Sequence, residues 1–266
     1  MMRDITLGQY YPVESPVHKL DPRTKLFGTL VLIIALFLAD NLFCYVLAAA
    51  FLFGVIAVSR VPVGHIVKGL KPIIFLLLFS VVFNLFLTSG EVLVKFWIFT
   101  ITKEGLIRSG MMAVRLIFLV MGTSLLTFTT TPNQLTDGLE KSLRFLRIFR
   151  VPVHEIAMMM SIALRFIPIL VEETDKIMKA QMARGADFET GGIIKKAKAM
   201  IPLLVPLFIS AFRRASDLAM AMEARCYHGG DGRTKMKPLR YQTADRIAYL
   251  ILLAFPAGMV ALRLAA

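Results

Sequence analysis

From Leu26 to Ser59 the chain carries a single charged residue, Asp40. That run is too apolar to be a solvated surface. It is also too long for one crossing, since a hydrocarbon core about 30 Å thick is spanned by about 20 helical residues. It therefore reads as two spans, at about 24–40 and 41–59, joined by little more than Asp40 and Asn41. So tight a joint folds them into an antiparallel hairpin. Further apolar runs at about 72–90, 105–131 and 243–266 bring the expected spans to five. A spanning segment must satisfy its own backbone groups, so the expected class is all-α.

Composition agrees: 57% of residues are hydrophobic and 18% charged, proportions that would precipitate a soluble domain. Residues 1–23 contain Asp4, Glu14 and Asp21 and lack the apolar core of a secretion signal, so the first span is expected to serve as its own address. Net charge is +13, from 31 basic and 18 acidic residues, which on a soluble chain would suggest nucleic acid. On a polytopic chain it reports orientation instead, because basic loops stay in the cytoplasm. The joint after the second span holds Arg60, His65, Lys68 and Lys71 without a carboxylate, whereas the turn at Asp40 has no basic residue. The amino terminus and residues 132–242 are therefore expected inside, and the carboxy terminus outside. Cys44 and Cys226 then lie on opposite sides as free thiols.

The stretch 132–242 holds 18 of the 31 basic and 11 of the 18 acidic residues, too many for ordinary spans, yet it is too apolar to be solvated. Within about 133–148, Leu135, Leu139, Leu143 and Leu146 recur at helical spacing while Lys141, Arg144 and Arg147 take another face. That pattern describes a helix lying on the membrane surface. A second helical pattern runs over about 152–185, opened by Pro152, interrupted by Pro168, and closed by Gly185. Pro168 is expected to kink it, and a sixth span within 152–172 is compatible with its composition. A third helix covers about 193–227.

The ends of the last two helices repeat each other. Ala180-Gln181-Met182-Ala183-Arg184 and Ala221-Met222-Glu223-Ala224-Arg225 share Ala-x-x-Ala-Arg at a terminus. Small residues leave a face that another surface can approach closely, and an arginine beside the stop projects a permanently charged planar fork. Before the first span, Asp21 can cap, Pro22 suits the first helical position, and Arg23 and Lys25 fall at the headgroups of the inner leaflet. Close spacings of small residues, Ala50-x-x-x-Gly54 and Gly105-x-x-x-Ser109-x-x-x-Ala113, suit helix packing, and Arg115 inside the fourth span is expected to snorkel or to pair with a neighbouring subunit.

His18-x-Leu20-Asp21-Pro22-Arg23-x-Lys25-Leu26 before the first span, together with two Ala-Arg helix ends, closely resembles the transmembrane T component of energy-coupling-factor (ECF) vitamin transporters, over essentially the whole chain. The resemblance implies that Ala183, Arg184 and Gly185, and Ala224, Arg225 and Cys226, dock into two ATP-binding-cassette ATPases. Cys226 stands where glycine is frequent in such motifs, so the backbone there is the expected point of departure. It also implies an importer complex in the plasma membrane of a prokaryote, with a separate substrate-binding membrane protein (the S component) that fixes which vitamin or micronutrient is carried. ATP and magnesium would be bound by the partners, and this chain would need no cofactor.

The chain lacks the Gly-x-x-x-x-Gly-Lys-Ser/Thr phosphate loop, and His18, His65, His154 and His228 are scattered without metal-ligand spacing. No metal site, catalytic residue or nucleic-acid partner is expected, and the chain is not read as an enzyme. The competing reading is a permease subunit of an ordinary ATP-binding-cassette importer that forms the substrate path itself.

Overall fold

The computed structural model describes residues 10–96, 99–186, 188, 192–230, 236 and 238–265. Among the described residues the chain is all-α apart from one small hairpin. Its elements are α1 (Pro16–Lys19), α2 (Pro22–Leu38), α3 (Leu42–Ser59), α4 (Val63–Leu70), α5 (Ile74–Leu87), strands β1 (Val92–Phe96) and β2 (Phe99–Thr102), α6 (Lys103–Thr129), α7 (Pro132–Ser142), α8 (Val153–Ala183), α9 (Ile193–Ala224) and α10 (Thr243–Ala265). Two compact units result, the first from residues 8–138 with 239–266 and the second from residues 139–238.

The first unit is built around α2, which packs against both α6 and α10. Its ends fix the direction of its neighbours. Asp21, just before α2, accompanies Asp245 at the start of α10, while Asp40, just after α2, pairs with Arg263 at the end of α10 at 2.6 Å. The two helices therefore run parallel. Lys25 reaches the Thr129 carbonyl at the end of α6, and Arg115 nearer its start reaches the Ala39 carbonyl, so α6 runs antiparallel to α2. The core these helices share takes Leu32 and Leu36 from α2, Phe118 and Leu125 from α6, and Phe255 and Met259 from α10. The α3 helix adds Cys44, Ala48, Leu52 and Ile56 at a spacing of four, one stripe of a helical face. Gly122 lets α2 and α6 approach closely, since a Cβ there would collide with Leu32.

Apolar side chains on the outer faces stay exposed, among them Phe37, Phe43, Phe53 and Phe75, and α5 buries no residue at all. On a soluble protein such surface would drive aggregation; around a bundle that spans a bilayer it is the lipid-facing surface. Among the described residues, five helices are long and apolar enough to cross: α3, the continuous Val63–Leu87 segment, α6, α8 and α10.

Several expectations are revised. The first expected span is a helix of 17 residues, about 26 Å, slightly short of the usual crossing. The basic joint at 60–71 is itself mostly helix, α4, with Ile66 buried, and it runs through a short 3-10 turn into α5. Residues 91–104, expected to be a loop, contain the antiparallel β1–β2 hairpin. Arg115 pairs inside its own chain: besides the Ala39 carbonyl at 2.6 Å it lies over the Tyr45 ring at 5.9 Å. It satisfies a carbonyl at the carboxy end of α2 that the helix itself leaves open. A Cβ at Gly105 would crowd the Leu85 carbonyl and Thr102, so that glycine serves close packing, whereas a Cβ at Gly54 would meet nothing within 4 Å among the described residues. Cys44 and Cys226 are both free thiols, the first buried and the second exposed.

Candidate functional site

The second unit holds α8 and α9, helices of 31 and 32 residues, each about 47 Å long. Neither breaks at its internal prolines: α8 continues through Pro168, and α9 through Pro202 and Pro206. The helix expected to kink at Pro168 runs unbroken from Val153 to Ala183, and it contains a window apolar enough to rank among the five long candidates. Two hydrogen bonds set how the pair crosses. Gln181 Nε2 donates to the Pro202 carbonyl at 3.4 Å, and Arg214 Nη2 donates to Glu173 Oε2 at 2.7 Å. Moving back along α8 moves forward along α9, so the two helices lie antiparallel where they meet.

Both helices end in the same way. Arg184 and Arg225 are the cap residues. At the first end, Gly185 N donates to the Met182 carbonyl at 2.9 Å and Ala186 N to the Gln181 carbonyl at 3.0 Å. At the second, Cys226 N donates to the Glu223 carbonyl at 2.8 Å and Tyr227 N to the Met222 carbonyl at 3.1 Å. Each is a Schellman stop, which satisfies the last carbonyls by turning one residue left-handed. That residue is Gly185 at φ +88° in one helix and Cys226 at φ +54° in the other. A side chain at such a φ costs about 1–2 kcal/mol. Cys226 thus adopts the backbone that glycine would have taken, and the expected departure at the second motif does not occur. Ala183, Arg184, Gly185, Ala224, Arg225 and Cys226 are all exposed, and among the described residues neither arginine enters an ion pair. Two guanidinium forks are consequently presented on matching, rigid helix ends.

Arg184 and Arg225 are 41 residues apart, and so are Glu173 and Arg214. In an antiparallel pair, a contact between positions equally far from the two matching ends places the crossing at the same distance along both helices. The Glu173–Arg214 pair therefore lies near the crossing of α8 and α9, 11 residues before each terminal arginine. Sequence reasoning missed this pair, since every residue of α8 has a counterpart 41 positions on and the offset alone singles out no contact.

The amino-terminal motif belongs to the first unit and forms a clasp. Asp21 caps α2 through Arg23 N and holds the Arg23 guanidinium at two points, 3.0 Å each. Arg23 lies over the Tyr241 ring at 4.0 Å. Asp245, 1% exposed, accepts from Asp21 N at 2.8 Å, Thr24 Oγ1 at 3.0 Å and Gln242 N at 2.8 Å. Lys25 is buried, not at the headgroups as expected, and donates to the His18 and Thr129 carbonyls. Pro22 takes the first helical position and abuts Gly138. His18 bonds the Tyr11 carbonyl and Ser15, and burial, reinforced by the nearby Lys25 ammonium, holds its pKa below the ordinary value against the opposing Tyr11 bond. Asp21, Pro22, Arg23 and Lys25 thus fasten the start of α2 to the start of α10 and the end of α6. Among the described residues, no group of three His, Cys, Asp or Glu side chains gathers to hold a metal.

Residues 13–236 match the family described as CbiQ, cobalt transport protein. Curated relatives carry the name energy-coupling factor transporter transmembrane protein EcfT. The one from Clostridium kluyveri is 55% identical over 252 residues, covering 94% of this chain and 93% of the relative. That from Acidaminococcus fermentans is 50% identical, covering 96% and 95%, and that from Bacillus subtilis 47% identical, covering 99% and 100%.

Proposed function

We infer the function from one premise: this chain belongs to the CbiQ transport family and is an energy-coupling factor transmembrane component, like the relatives it matches along nearly its whole length. Those relatives are named as transmembrane transporter proteins, not as enzymes, and five apolar helices suit a membrane protein. The finer role we propose is coupling. Arg184 and Arg225 each dock into one of two ATP-binding-cassette ATPases in the cytoplasm, which bind ATP and magnesium. Closure of the ATPases moves α8 and α9, and a separate substrate-binding membrane subunit answers by reorienting and releasing a vitamin or other micronutrient. Nucleotide can drive that step only through a difference in affinity for the two arrangements. The amino terminus faces the cytoplasm of a prokaryotic cell, in keeping with the basic joint at Arg60 to Lys71.

The observation that carries this reading is the matched pair of exposed, arginine-capped Schellman ends. Truncating one partner of a buried guanidinium–carboxylate pair costs roughly 2–5 kcal/mol. The double variant Arg184→Ala/Arg225→Ala is therefore expected to reach the membrane at normal levels but to lose its ATPases on purification, and to lose uptake. Either single variant keeps part of both. Normal ATPase retention and uptake in the double variant would remove the assignment.

A further inference from the structure

Between α7 and α8 the chain winds as a 3-10 helix over Leu143–Phe149, seven residues long. Runs beyond three or four residues are uncommon because 3-10 hydrogen bonds are poorly aligned. What the geometry provides is register. With three residues per turn, every third side chain eclipses the one before it, at intervals of about 6 Å. Arg144 and Arg147 are eclipsed in this way, and Lys141 at the end of α7 and Arg150 at the cap continue the spacing of three on either side. All four line one pocket of about 430 Å³, which also receives the amino-terminal turn of α8 at His154 and Glu155.

Three features make that pocket suited to an anion. Four cationic side chains face two carboxylates, Glu140 and Glu155, and Glu140 is already held by His154 Nδ1 at 3.0 Å. The α8 helix begins there with no side-chain cap, so its positive dipole end is turned toward the pocket. Arg150 ends the 3-10 helix as a left-handed cap at φ +60°, and its side chain lines the pocket beside the other three cations. The other faces of the same segment are apolar and open: Phe145 is 59% exposed, Phe149 73% and Ile148 84%. A free anion in solution would leave those three side chains in water. A bilayer interface supplies both halves, phosphate for the cations and acyl chains for the apolar side chains.

We propose that the 3-10 segment and its pocket form a binding site for the anionic phospholipid headgroups of the membrane the chain spans, with Arg144, Arg147 and Arg150 as its phosphate ligands. The site is independent of the coupling role of α8 and α9. It makes the position of this segment depend on the lipid charge of the leaflet.

The test uses the full-length chain in nanodiscs, or delipidated in detergent and exposed to equal amounts of phosphatidylglycerol and phosphatidylcholine, with bound lipid read by native mass spectrometry. Each basic residue near an anionic surface changes partition about fivefold. Wild type is expected to retain phosphatidylglycerol over phosphatidylcholine, and Arg144→Gln/Arg147→Gln/Arg150→Gln to lose that preference by a factor on the order of tenfold or more. A control with the same charge loss in the same unit, Lys176→Gln/Lys179→Gln/Arg213→Gln, is expected to keep it. Equal retention of the two lipids by wild type overturns the proposal, whether or not the variant folds. So does an unchanged preference in the arginine variant, an equal loss in the control, or displacement of the lipid by millimolar inorganic phosphate, which would mark a soluble-anion site.

Discussion

Replacing Asp245 with alanine should loosen the first unit more than any other single substitution in the amino-terminal clasp. The carboxylate is 1% exposed and receives three hydrogen bonds, from Asp21 N, Thr24 Oγ1 and Gln242 N. Two of the donors are themselves buried, Asp21 at 6% and Thr24 at 1% exposure. A buried donor left without its acceptor costs about 1–3 kcal/mol. The third bond closes the first turn of α10 in the manner of a capping box, whose loss costs about 1 kcal/mol. The sum is about 3–7 kcal/mol, a large share of the total stability of an ordinary domain. Asparagine in the same place keeps one carbonyl oxygen for Asp21 N and Thr24 Oγ1 and gives up only the bond to Gln242 N and the charge.

The assay is thermal unfolding of the full chain in one detergent, followed by loss of the monodisperse peak on size exclusion. Since 1 kcal/mol corresponds to about 2–4 °C for a chain of this size, Asp245→Ala is expected to lower the midpoint by roughly 10–20 °C. Asp245→Asn should fall well short of half that drop. Equal midpoints for the two variants would refute the reasoning, because the stabilisation is assigned to the acceptor at Oδ1, which asparagine retains, and would place it in the charge instead.

Two further outcomes test the helix ends and their crossing. Gly185→Ala forces a Cβ onto φ +88° at a cost of about 1–2 kcal/mol, so amide exchange at Ala186 should quicken about tenfold, whereas Cys226→Gly should slow exchange at Tyr227; the opposite sign at either end would contradict the shared Schellman geometry. Glu173→Arg or Arg214→Glu alone sets like charges against each other at the crossing and should reduce uptake severalfold, while the two together restore the pair and most of the uptake; a double variant no better than the worse single one would mean that the ion pair does not organise the crossing.

What the sequence made legible follows from which signals are local. The helix ends at Arg184 and Arg225 were readable because their stops are written in adjacent residues, a small-residue face followed by an arginine and a left-handed position. The short joint between α2 and α3 was readable for the same reason, since one charged residue in a long apolar run leaves few alternatives; the hairpin expected of the two helices is not what packs, because α2 lies against α6 and α10 instead. Lys25 and Arg115 were misplaced because their partners are carbonyls: Thr129 lies 104 residues from Lys25, and Ala39 lies 76 from Arg115. A carbonyl is present at every residue, so a sequence cannot indicate which one a cation will find. The β1–β2 hairpin was missed because it is short and lies between two strong helical patterns. Asp245 escaped notice although it stands three residues after Gln242, at the capping-box position; an acidic residue in the first turn of a helix is common enough that only its burial marks it out.

The departure at Cys226 and the hidden pair Glu173–Arg214 lead to one physical picture of the two long helices. If the ends differed, two partners would meet two surfaces, and a repeat in sequence would be only a trace of ancestry. The backbones instead coincide, at the cost of a left-handed cysteine. The residues paired near the crossing are equally far from the two helix ends, so each terminal arginine stands 11 residues, about 16 Å of helix, beyond one shared point. Equal arms about one axis mean that a rotation of α8 against α9 displaces both tips by the same amount. Under the proposed coupling role, two like ATPases closing symmetrically would then apply balanced forces, and the ion pair at the axis, where displacement is least, could stay intact throughout. A pair placed nearer either tip would have to break on every cycle.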